Sequence, residues 1–153
     1  MSNPFVYYRI ESLNNLKRSS PCSVRELDWY ADLALIRSFY VRFSSNPINP
    51  DEFDPYVGNP LAIIVDGEIV SFAIPLSFRD GETEIGGVAT VPDQRNKGYC
   101  KELISGMASR ILEKGKIATL TTEKTNLPMR KAAEAIGMIA SEEPTEETNG
   151  IQD

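Results

Sequence analysis

The stretch "LAIIVDGEIVSFAIPLSFRDGETEIGGVATV", residues 61–91, constrains the fold more than any other part of this chain. Apolar, β-branched runs are broken by Asp66-Gly67 and again by Arg79-Asp80-Gly81. An Asp-Gly pair accepts the positive φ angles of a tight hairpin, so each break turns the chain back on itself. Three antiparallel strands in a meander are predicted. "FVYYRI" (5–10) and "KIATLTT" (116–122) read as further strands by the same criterion.

Helical spacing marks the rest. Ser23 and Glu26 stand at a capping-box interval, and Leu27, Tyr30, Leu33, Ile36, Phe39, Tyr40 and Phe43 follow with helical period. They predict a helix over 24–43, followed by a proline-rich loop at 44–60. Leu103, Ile104, Met107, Ala108, Ile111 and Leu112 mark a second helix that stops at Gly115. "NLPMRKAAEAIG" predicts a third, with Asn126 as N-cap, Pro128 in the first turn and Gly137 after the end. The expected fold is α/β of the α+β type: a mixed, mainly antiparallel sheet flanked by helices, with one parallel crossover. One domain is expected over 1–140, and the acidic tail at 141–153 is expected to be disordered.

Composition narrows the chemistry. The 153 residues carry a net charge of −6 with no compensating basic block, which argues against a nucleic-acid partner. Apolar runs are too short to span a membrane, and no basic segment followed by an apolar one marks a secretory signal, so a cytoplasmic setting is expected. Cys22 and Cys100 lack metal-ligand spacing, and without an export signal reduced thiols are expected. Histidine is absent altogether. That removes Ser-His and Cys-His nucleophiles and imidazole-based zinc sites, and no metal is expected. Acid–base work falls to carboxylates, Lys, Tyr, Cys or water.

The densest chemical signal is "TVPDQRNKGYCKEL", residues 90–103, where a strand enters a helix through Arg95-Asn96-Lys97-Gly98. A helix N-terminus offers unpaired N–H groups and a positive dipole end, so this turn suits a phosphate-bearing ligand. Gly98 permits close backbone approach. The Gly86-Gly87 pair inside the preceding strand signals a bulge, or a place where ligand approaches the main chain.

With this turn, "VATVPDQRNKGYC" resembles the GNAT superfamily of acyl-CoA-dependent N-acyltransferases, in its strand, its P-x-x-R/Q-x-x-G-x-G/A turn and its following helix. "NLPMRKAAEAIGM" is similar to the family's N…GF helix ending. The resemblance covers about residues 60–139. It implies an N-acetyltransferase moving an acetyl group from acetyl-CoA to a primary amine by direct attack, with acyl-CoA in a splay between the fourth and fifth strands, "ETEIGGVATV" and "KIATLTT". The alternative is an acyl-CoA-binding regulatory or structural module with little catalysis.

Carried over, the resemblance places Val88, Ala89 and Thr90 along the thioester and pantetheine arm. Arg95, Asn96, Lys97, Gly98, Tyr99, Cys100 and Lys101 surround the pyrophosphate. Asn126 contacts pantetheine, holds the gap open, or simply caps its helix. Glu84 is the expected general base, working through water, with Glu82 as second candidate. The resemblance also implies an acceptor that is a small-molecule or a peptide or protein amine. Asp51, Glu52 and Asp54 offer attraction for a cationic one. Three positions depart from the family: Cys100 for Gly or Ala, Met138 for Phe, and Ala133 where many members carry a tyrosine acid. The family's closing strand pair is also short here, which implies a last strand that is missing or supplied by a partner subunit, in a homodimer covering that edge.

Overall fold

The computed structural model describes residues 3–17, 24–43 and 48–141. Among these, seven strands form one sheet: β1 (Phe5–Ile10), β2 (Val24–Glu26), β3 (Leu61–Val65), β4 (Glu68–Ser77), β5 (Glu82–Thr90), β6 (Ile117–Glu123) and β7 (Ile139–Ser141). Three helices accompany them: α1 (Leu33–Phe43), α2 (Tyr99–Glu113) and α3 (Leu127–Ala135). The sheet runs β2-β3-β4-β5-β6-β1-β7. Each neighbouring pair is antiparallel except β5 and β6, which α2 joins as a parallel crossover.

The two Asp-Gly breaks behave as their chemistry dictates. Asp66 and Gly67 both take positive φ, 53° and 80°, the signature of a two-residue type I′ hairpin. At the second break only Gly81 does, at 78°, and the Glu82 N–H donates to the Arg79 carbonyl at 2.8 Å. Between β4 and β5 the register slips: Phe72 faces Ala89, but Ile74 faces Gly86. Gly87 and Val88 therefore oppose Ala73 alone, a β-bulge with Gly87 at φ 58°. Gly86 serves a different end, since a Cβ there would lie 2.4 Å from Leu76 Cδ1.

The helix expected over 24–43 begins late. Val24–Glu26 instead pairs with Leu61–Ile63 as the edge strand β2. Glu26 caps nothing; its carboxylate takes bonds from Arg110 (3.3 Å) and Asn59 (2.9 Å). The side chain that starts the helical turn is Asp28, accepting from the N–H groups of Tyr30 and Ala31 at 2.8 Å each. Ser23 and Cys22 lie outside the described residues, as does the tail beyond Ser141.

The helices pack on opposite faces. Phe72 on β4 meets Phe39 and Tyr40 of α1 at 5.6 and 5.8 Å, with Trp29 at 6.4 Å. Ala73, one residue along, shares the other face with its partner Leu61, which sits against Gly106 of α2. The long α2 buries its predicted apolar stripe there, from Leu103 to Leu112, and α3 lies beside it.

Beyond β6, the family resemblance pointed to a missing strand or one from a partner subunit. The chain's own N-terminal strand takes that place. β1 pairs with β6 from Phe5↔Glu123 to Ile10↔Ala118, and on its other side with β7. Tyr8, only 1% exposed, anchors it: its hydroxyl donates to Glu134 at 2.6 Å and accepts from Arg130 Nε at 3.1 Å. The remaining edge on this side is the three-residue β7, exposed throughout.

Candidate active site

The parallel pairing of β5 with β6 is short. It runs from Glu82↔Ile117 through Glu84↔Thr119. Both strands continue, to Thr90 and Glu123, without pairing to each other again. The bulge at Gly87 lies in this unpaired half of β5 and bends it further. Val88, the second residue of the bulge, and Ala89 and Thr90 after it are all half-buried. Behind them the Ser71 hydroxyl, itself fully buried, sits 2.8 Å from Thr90 Oγ1 and donates to the Ala89 carbonyl at 3.3 Å. That clamp fixes the strand end from the β4 side.

At the far end of the unpaired half, the chain makes a short 3₁₀ turn at Pro92–Gln94 and enters α2 through Asn96 (φ 66°) and Gly98 (φ 81°). The first N–H of the helix to reach a carbonyl is that of Glu102, bonded to Gly98 at 3.1 Å. Among the described residues, none of the six N–H groups from Asn96 to Lys101 has a protein acceptor. A Cβ built on Gly98 meets no atom within 4 Å, so the space in front of the turn is open. Arg95 and Lys97 stay exposed, bonded locally to the Thr90 carbonyl and to Gln94 Oε1 at 3.0 Å each. N–H groups without protein acceptors, a helix N-terminus and two exposed cations together have the chemistry suited to an anion.

Asn126 stands at the start of α3, where its side-chain oxygen accepts from the Met129 N–H at 3.3 Å, so its capping role is real. The first turns of α2 and α3 touch, with Cys100 Sγ 3.8 Å from Met129 Sδ. The cradle and the start of α3 thus flank the gap between β5 and β6 together. Burial pushes the Cys100 thiol up to about 11, which keeps it protonated and unsuited to nucleophilic attack.

The two candidate bases separate cleanly. Glu82 is held by Arg79 (3.2 Å) and Arg9 (3.6 Å), with its side chain 10% exposed. Glu84, two residues on, has no cation among the described residues. Burial pushes its carboxyl above the ordinary glutamate range, and hydrogen bonds from Thr121 and Thr119, both at 3.4 Å, draw it partly back. A carboxylate raised towards neutrality is a better proton acceptor for an ammonium than one pinned by two arginines. The threonines escaped the sequence reading, although alternation along "IATLTTE" puts Thr119 and Thr121 on one face.

Ala133 is fully buried, and its methyl carries no proton to give. Of the tyrosines, Tyr8 is engaged with α3, Tyr30 donates to Asp51, and Tyr56 is 93% exposed.

The family model described as FR47-like protein matches residues 64–146, more than half of the chain. No curated protein matches it. Among solved structures, a GNAT-family acetyltransferase from Novosphingobium aromaticivorans is similar with a TM-score of 0.72 and 16% identity, over 90% of this chain and 59% of that one. The ribosomal-protein-S18-alanine N-acetyltransferase from Escherichia coli is similar with a TM-score of 0.57 and 19% identity, over 74% and 75%. AAC(6')-Iy, solved with the bisubstrate analogue CoA-S-monomethyl-acetylneamine, gives 0.63 and 18%, over 81% and 95%. These identities speak for a shared fold. The chain spans little more than half the length of the first of these structures, and of a second acetyltransferase from Colwellia psychrerythraea.

Proposed function

Because the chain belongs to the FR47-like family, within the GNAT superfamily, we propose that it transfers an acetyl group from acetyl-CoA to a primary amine. The observation that carries this reading is the gap between β5 and β6, with Glu84 where pairing stops and six free N–H groups at its mouth. The donor's pyrophosphate rests on residues 95–101, and its pantetheine arm lies along Val88–Thr90, with Asn126 opposite. The bulge leaves a main-chain N–H on β5 unpaired, suited to polarising the thioester carbonyl.

Glu84 takes a proton from the acceptor ammonium, through water. The freed nitrogen attacks the thioester carbon and a C–N bond forms. The C–S bond breaks, the CoA thiolate leaves, and the proton that the nitrogen sheds on becoming an amide passes through water towards that thiolate. With Ala133 buried, that thiolate takes its proton from water. No covalent enzyme intermediate is needed. The reaction is set in the cytoplasm, where Cys100 stays reduced.

The same buried Ala133 favours a second reading, an acyl-CoA-binding module with little turnover. Two measurements decide. Acetyl-CoA raises the melting temperature under both readings, since it binds only the folded state. Steady release of CoA thiol with an amine panel supports the transferase alone. No thermal shift with acetyl-CoA overturns both.

A further inference from the structure

β4 is buried on both faces from Ile69 to Pro75, and Ser71 is the one polar side chain in that run. At 0% exposure a hydroxyl costs stability unless it is hydrogen-bonded, so packing alone gives no reason for one here. Both of its bonds go to β5, on the half of that strand that β6 leaves unpaired. A serine has one proton to donate. With that proton on the Ala89 carbonyl at 3.3 Å, the 2.8 Å contact needs Thr90 Oγ1 as its donor. The Thr90 hydroxyl is thereby directed at Ser71.

The main chain of Thr90 is fixed as well. The next residue, Val91, donates its N–H to the Val70 carbonyl at 2.9 Å. Hydrogen-bonded pairs alternate with open ones along an antiparallel ladder, so the neighbouring pair, Ser71 and Thr90, is an open one. The N–H and C=O of Thr90 therefore turn away from β4, towards the side where β6 has parted. Arg95 Nε holds that carbonyl at 3.0 Å. Among the described residues the Thr90 N–H has no acceptor. Thr90 thus offers the gap one N–H, anchored through its hydroxyl and its carbonyl. Val88, in the bulge, stands two residues earlier, about 7 Å along a strand. In acyl-CoA the first amide carbonyl of the pantetheine arm lies a similar reach from the thioester.

We infer that Ser71, buried behind β5, is a positioning residue for the acyl donor. Through the Thr90 hydroxyl it aims the Thr90 N–H at an amide carbonyl of the pantetheine arm. The inference rests on the acyl-CoA reading and adds to it the side chain that preorganises the strand. A donor already fixed has little freedom left to lose when the ligand arrives, and this favours binding of the arm. The nucleotide end rests on the cradle and is indifferent to Ser71.

The test is calorimetric titration with acetyl-CoA and with adenosine 3′-phosphate 5′-diphosphate, which lacks the arm. Ser71→Ala and Thr90→Val each weaken acetyl-CoA binding by about 3- to 10-fold, the worth of one neutral hydrogen bond. The double variant Ser71→Ala/Thr90→Val binds no more weakly than either single one, because the same bond is lost in all three. Thr90→Ser keeps the hydroxyl and keeps the affinity. The armless nucleotide binds every variant as it binds the wild type. Melts without ligand certify that each variant is folded. A hydroxyl that serves only the core lowers the melting temperature and leaves acetyl-CoA affinity in place, or weakens both probes together. Either result overturns the inference, as do losses that add in the double variant or a loss in Thr90→Ser equal to that in Thr90→Val. A wild-type protein that binds neither probe overturns the acyl-CoA reading and this role with it. One that binds both, and that Ser71→Ala matches, overturns the role alone.

Discussion

Glu84 ionises against its surroundings, and this sets its expected behaviour. Leu76 on β4 and the hydroxyls of Thr119 and Thr121 on β6 face it, Glu82 lies two residues along, and Arg9 stands two strands away. Its carboxyl is raised by burial. As a base it works only when ionised, so the acid limb of the turnover profile lies above the ordinary glutamate range. Removing the threonine bonds in Thr119→Val/Thr121→Val moves the limb to still higher pH, because those bonds favour the charged form. Glu84→Gln lowers turnover by about 10²–10⁴-fold with acetyl-CoA binding kept, measured as thiol release beside a thermal shift. The same group makes a stability prediction. A carboxyl raised on folding stabilises below its unfolded value, near 4.5, and loses that contribution as pH rises through the folded value. Wild type therefore loses melting temperature relative to Glu84→Gln over that interval. The family resemblance put Glu84 ahead of Glu82, while strand alternation alone sets both on one face. What separates them in the fold is the pair of arginines on Glu82, Arg79 three positions away and Arg9 more than seventy, and the approach of Arg9 depends on the sheet order.

At the scale of elements, the strand–turn–helix unit from β5 to α2 was legible because its rules are local. Gly87 and Gly98 mark positive φ, and the apolar stripe marks the buried face of α2. Gly98→Val tests the unit. A Cβ at φ 81° strains the backbone by about 1–2 kcal/mol and also fills the open space before the cradle. Gly115, at the other end of α2, has nearly the same φ of 79° and the same emptiness around it, but no ligand role. Both valine variants lose similar stability in denaturant titrations. Only Gly98→Val loses most of the acetyl-CoA thermal shift, and equal shifts in the two would remove the cradle assignment. The segment at 24–43 was less legible. Val24–Glu26 has the caps and spacing of a helix, yet the exposed edge of β3 captures it, a tertiary choice that outweighs local preference.

Over the whole molecule, the sequence marked the five longer strands and ordered only the β3–β4–β5 meander, since the other pairing partners lie far apart in the chain. β1 was visible as a strand, while its place between β6 and β7 was not. Tyr8 holds it there. Tyr8→Phe removes the hydroxyl shared with Glu134 and Arg130 and costs about 1 kcal/mol, given how exposed Glu134 is. Tyr8→Ala also opens a core cavity and costs about 3–5 kcal/mol, enough to unfold a marginal domain at 37 °C. Circular dichroism melts of the two variants check the ratio, and equal losses would mean that β1 is held by its backbone pairing rather than by this side chain.

The position of β1 also imposes an order of events on the ribosome. Among the described strands β1 leaves the exit tunnel before the others, and both of its neighbours, β6 and β7, are made about a hundred residues after it. Phe5 has no pairing partner until Glu123 has been translated. At a synthesis rate of about 5–20 residues per second, that strand waits on the order of ten seconds with its apolar face uncovered. The β3–β4–β5 meander, whose contacts are local, is free to form meanwhile. Closure of the sheet is thus a late, long-range step, and nascent chains stalled before residue 117 carry β1 as an unpaired, sticky end.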